Sequence, residues 1–60
     1  MDAETRVYMT MLEITTPTPR YWIASLANVP EHVAHVELMK GELTGIYRKH
    51  PFEMYSRIFN

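Results

Sequence analysis

The chain reads as a mainly α domain closed by a C-terminal β-hairpin, three helices followed by two short strands. Apolar residues recur at helical spacing through the first two thirds of the chain. Pro17, Pro19, Pro30, Gly41, Gly45 and Pro51 punctuate it at intervals that suit element ends. After Gly45 the pattern turns strand-favouring, with Ile46, Tyr47, Tyr55, Ile58 and Phe59.

The first helix is expected over residues 3–14. Asp2 suits its N-cap and Glu4 its first turn, and Ala3, Val7, Met11 and Ile14 follow at helical spacing. The same stretch holds Thr, Val, Tyr and Ile. A strand there, giving a two-layer α+β domain, is therefore the alternative. Thr18 then reads as an N-cap and Pro19 as the first helical position of a second helix ending at Ala27, with Trp22, Ile23 and Leu26 on its apolar side. Asn28 tolerates the left-handed conformation that a helix end needs. Pro30-Glu31 opens a third helix, expected to run to about Lys40 or Glu42, with Gly45 a natural stop. Two strands follow, Ile46–Lys49 and Glu53–Phe59, around a turn at His50-Pro51-Phe52. Tyr55 and Ile58 fall on opposite faces of a regular strand, which calls for a bulge or two-sided burial. A last helix starting at Pro51, with Phe52, Tyr55 and Phe59 on one side, is the rival.

Sixty residues make one small domain, residues 1–60. A chain this short buries only about 60% of the surface it exposes unfolded, so a partner or second copy would help it. There is no cysteine, hence no disulfide, no thiolate nucleophile and no cysteine-type zinc site. The longest apolar runs, such as Tyr21-Trp22-Ile23, are far too short to span a membrane. The acidic start Met1-Asp2-Ala3-Glu4 predicts no signal peptide, and the expected location is cytoplasmic.

The run Ile23-Ala24-Ser25-Leu26-Ala27-Asn28-Val29 resembles the helix-to-turn junction of winged helix-turn-helix DNA-binding domains. Alanine lets two helices cross closely there, the Asn28 position takes a positive φ, and Val29 plugs the core. Continuing without a gap, Ala34 and Leu38 match the buried residues of the third helix. Gly45-Ile46 matches the entry to the wing, and Val7, Met11, Leu12 and Ile14 match the covering first helix. The likeness spans residues 5–59. Asn28 stands where glycine is usual, and Gly41 where a buried leucine is usual, which removes packing from a small core. In this register Pro30, Glu31, His32, Val33, His35, Val36, Met39 and Lys40 point outward. That face is apolar and acidic with two histidines, where the family is rich in groups that reach phosphates and base edges. A register shifted by a third of a turn would instead bury Val33, Val36, Met39 and Leu43.

The resemblance implies a small transcriptional regulator that binds double-stranded DNA, as a homodimer that doubles its wings. The net charge of −1 denies the chain a general basic field. Yet Arg48, Lys49 and Arg57 outweigh Glu53 in the last third, so the wing carries the DNA expectation. The expected DNA-binding residues are Arg20, Tyr21, His32, His35, Lys40, Arg48, Lys49 and His50. The alternative is a protein-interaction module, an inhibitor or adaptor of phage or plasmid type, using Val33, Val36 and Met39 on the third helix. His32 and His35 share a helix face but lack a placed third ligand, so no metal and no cofactor is expected. Ser25 and Ser56 have no evident base, and no glycine-rich phosphate loop is present, so the chain is not expected to be an enzyme.

Overall fold

A computed structural model describes residues 1–58. The order is α1 (Ala3–Glu13), β1 (Thr18–Pro19), α2 (Arg20–Ala27), α3 (Glu31–Thr44), β2 (Tyr47–His50) and β3 (Met54–Arg57). The strands form one antiparallel sheet in the order β1-β3-β2. This is a mainly helical, winged-helix-like arrangement: helices on one side, a hairpin on the other, and the core between them.

Residues 3–13 are helical, which removes the alternative of an N-terminal strand. Asp2 caps α1, its carboxylate accepting from the Thr5 N–H at 2.8 Å. Hydrogen bonding from Thr5, its side chain first and then its N–H, lowers the Asp2 carboxyl below its ordinary range, because it favours the charged form. Val7 and Met11, one helical turn apart, are the buried face of α1; Ile14 packs against the core only in part and Leu12 lies largely outside it.

β1 was not legible in the sequence. Thr18 and Pro19 pair with Tyr55 and Met54 of β3, so Pro19 is not the first residue of α2 but the extended residue before it. Thr18 is no N-cap: its hydroxyl donates to the Thr16 carbonyl at 2.9 Å. A proline without an N–H is tolerated in an edge strand, and β1 is an edge strand. The chain then turns straight into α2, with the Arg20 N–H donating to the Glu53 carbonyl at 3.0 Å.

α2 buries Ile23, Ala24 and Ala27. Trp22 and Leu26 are half-exposed, contrary to the expected apolar side. The small alanines are what allow α2 to approach its neighbours, so the contact face is rotated toward them and the larger side chains lie at the flank. Asn28 ends the helix in the left-handed region (φ 58°), its N–H donating to Ser25 at 3.2 Å while the Val29 N–H reaches Ala24 at 3.1 Å.

α3 buries Ala34, Leu38 and Gly41, the register of the resemblance rather than the shifted one. It runs to Thr44, past the expected end at Lys40–Glu42, and stops on Gly45 at φ 84°. Gly41 does not thin the core as expected. The ring of Tyr47 lies in the notch it leaves: a Cβ on Gly41 would fall inside that ring, 2.8 Å from Cγ. The glycine therefore trades a helix side chain for a strand side chain in the same space.

β2 pairs with β3 through Tyr47↔Arg57, Arg48↔Ser56, Lys49↔Tyr55 and His50↔Met54. His50 thus belongs to the strand and not to the turn, and the rival C-terminal helix is absent. Tyr47 and Tyr55 share the core-facing side, and both are buried. β3 ends at Arg57, so Ile58 lies beyond it and no bulge is needed; Phe59 lies outside the described residues. The tip places Phe52 and Glu53 at φ 67° and 58°, an uncommon pair for residues with side chains.

Candidate functional site

The hairpin alternates its side chains, and this sorts the wing chemically. Arg48, His50 and Ser56 share the outer face, opposite Tyr47 and Tyr55. With Arg57, Thr15 and Pro17 they line an open concavity of about 360 Å³. His50 Nε2 and Ser56 Oγ lie 2.7 Å apart across the hairpin, which holds the imidazole in place. Arg48 and Lys49 are exposed, and among the described residues no hydrogen bond or ion pair engages either side chain. The concavity can accept an anion at the unengaged Arg48 beside the imidazole–hydroxyl pair, while Lys49 projects from the opposite face of the hairpin.

Arg20 is committed elsewhere. Its Nε pairs with Glu31 at 3.1 Å and its Nη1 with Glu53 at 2.8 Å. Nη1 also reaches His35 Nδ1 at 2.8 Å. A guanidinium only donates, so His35 Nδ1 accepts, and its proton is assigned to Nε2. One side chain thereby ties the first turns of α2 and α3 to the tip of the hairpin. His35 belongs to this cluster, with His32 beside it in the same surface hollow. Tyr21 is exposed, and Lys40 pairs with Glu37 at 3.2 Å on another cleft. Of the expected DNA-binding set, then, Arg48 and His50 share one concavity, and Lys49, between them on β2, lies on the opposite face. Arg20, His32 and His35 form a second group, and Lys40 lies apart.

The outward face of α3 carries Val36 and Met39, both partly exposed, and Val33, half-buried. Leu43 joins them at the spacing of one more turn and is 83% exposed. Its exposure follows from the observed register, since Leu43 is expected to be buried only in the shifted one. Ser56 was missed as a wing contact, because the cross-strand partner of Arg48 depends on hairpin register and not on spacing along the chain. Among the described residues, no group of three or more His, Asp or Glu is placed to hold a metal ion, and no helix is long and apolar enough to cross a membrane.

The titration of Tyr47 marks a further feature. Burial pushes its phenol up to about 12, and Tyr8, Glu37 and Glu4 add to the shift. An unfolded tyrosine ionises near 10, so between pH 10 and about 12 the folded chain holds a proton that the unfolded chain has lost. Stability is expected to fall as pH rises through that window. Denaturant titrations below pH 10 and near pH 12 check this; Tyr47→Phe should lose less stability across the interval than the parent chain.

No protein family, curated protein or solved structure matches this chain.

Proposed function

We propose that the chain is a small DNA-binding regulator whose wing, not its third helix, meets the duplex. The observation that carries this reading is the state of its cations. Arg20 and Lys40 are paired with carboxylates, and Arg6 donates to the Met1 and Asn28 carbonyls, whereas Arg48 and Lys49 stand exposed and unengaged on the wing. Exposed cations on a hairpin suit phosphate contacts or entry into the minor groove. The outward face of α3 is largely apolar, and of its polar groups His35 is engaged by Arg20 and Lys40 by Glu37, so discrimination between sequences should be weak.

Fluorescence anisotropy with a labelled duplex at several salt concentrations tests the reading. The expected result is binding that weakens steeply with salt. Arg48→Ala with Lys49→Ala should reduce the slope of log affinity against log salt by about 2, one phosphate contact for each cation. That loss should be similar for duplexes of unrelated sequence. If no duplex is bound at low salt, the reading is lost.

A second reading rests on Val36, Met39 and Leu43. An apolar stripe directly opposite the buried face of α3 is left partly to largely exposed in the folded chain, and it suits contact with a protein. It is compatible with the first reading if the partner is a second copy, which would place two wings on one duplex.

A further inference from the structure

Between α1 and α3, above the start of β2, a cleft of about 340 Å³ opens. Tyr47, lying in the notch of Gly41, forms its floor, and Tyr8 and Ile46 form its walls. The rim carries Glu4, Glu37 and Lys40. Glu37 is held by Lys40 at 3.2 Å, while Glu4 is exposed and has no ion pair among the described residues. Two carboxylates therefore face one ammonium.

The floor supplies an independent observation. Tyr47 is only 4% exposed, yet among the described residues no hydrogen bond reaches its hydroxyl. The side chain is enclosed except where it lines the cleft, so its hydroxyl is left to bond to whatever occupies that space. The Tyr47 phenol keeps its proton at neutral pH, so its oxygen can accept from a cationic N–H.

We propose that this cleft binds a small organic cation, a primary ammonium or guanidinium on a short aromatic or alkyl stem. The stem packs against Tyr8 and Ile46, and the charged head lies near Glu4 and Glu37 with an N–H directed to the Tyr47 hydroxyl. An anion meets Glu4 without compensation, and a neutral isostere forfeits the attraction of the rim. The site is separate from the outer face of the wing, so its test does not depend on DNA binding.

The test is a two-dimensional ¹H–¹⁵N titration of the full chain with 2-phenylethylammonium, in parallel with 2-phenylethanol and 3-phenylpropanoate. Saturable shifts are expected at the amides of Tyr8, Gly41 and Ile46. The ammonium should bind about threefold or more tightly than the alcohol, the scale of one exposed ion pair, and the carboxylate should bind weakest. Glu4→Gln, on the exposed rim, should remove that preference and leave the alcohol's affinity unchanged. Tyr47→Phe keeps the ring in the Gly41 notch and should weaken the ammonium as well. Equal or tighter binding of the alcohol or the carboxylate would overturn the proposal. So would shifts that never saturate at millimolar ligand, or an ammonium preference that survives Glu4→Gln. Should Tyr47→Phe disturb the fold, the Glu4→Gln comparison decides alone.

Discussion

Gly41→Ala is expected to cost about 3 kcal/mol or more, the upper end for forcing an extra carbon into a packed site. On an exposed helix surface the same change would stabilise by up to about 1 kcal/mol, because alanine is the better helix former. Here the new Cβ would fall within the Tyr47 ring, against Cδ2 and Cε2. The ring is not the free end of a flexible chain. It is anchored by β2 and buried among Leu38, Met11 and Tyr55 in one core cluster. Either α3 moves off the sheet or Tyr47 leaves the core, and both forfeit burial that a 60-residue domain can hardly replace. In thermal unfolding followed by circular dichroism, the midpoint should drop by about 12 °C or more. Tyr47→Leu should recover part of the loss in the Gly41→Ala background, since the two positions share one space. A stabilised Gly41→Ala chain would mean that the ring does not occupy the notch.

Leu38→Ala and Leu43→Ala should differ by nearly the whole range that leucine truncations span. Leu38 is fully buried and Leu43 is 83% exposed, although both lie on α3 five residues apart. Leu38→Ala should cost about 2–5 kcal/mol through lost transfer energy and a residual cavity. Leu43→Ala should stay within about 0.5 kcal/mol of the parent. Urea titrations of the two variants measure the contrast directly, and midpoints that moved together would contradict the register of α3.

Much of the fold was legible because its signals are local. Asp2 as a cap, Asn28 and Gly45 as left-handed helix ends, and the Val7/Met11 and Ala34/Leu38 spacings need only neighbours in sequence. What escaped depends on residues far apart. Thr18 and Pro19 form a strand only because Met54 and Tyr55 lie beside them, and two residues carry no periodicity to detect. Gly41 reads as a gap until Tyr47 is seen to fill it. Trp22 and Leu26 look like core by hydropathy, but Ala24 and Ala27 set the contact face. Of the candidate site, Arg48 and Lys49 could be named from the sequence as cations on a hairpin. The engagement of Arg20 could not, since its carboxylate partners are 11 and 33 residues away along the chain.

The strand order β1-β3-β2 leaves a sheet with two open edges, and each is closed to further strands by different means. On one side the edge is two residues long, and one of them, Pro19, has no N–H to offer. On the other side β2 presents Arg48 and Lys49, whose like charges repel an identical strand approaching edge to edge. A chain this small, with a short sheet and half-exposed apolar groups on all three helices, would otherwise be a template for its own polymerisation. The wing cations thus serve the free chain as well as any complex it forms: they keep neighbouring copies from zipping together while the backbone of β2 stays open to water.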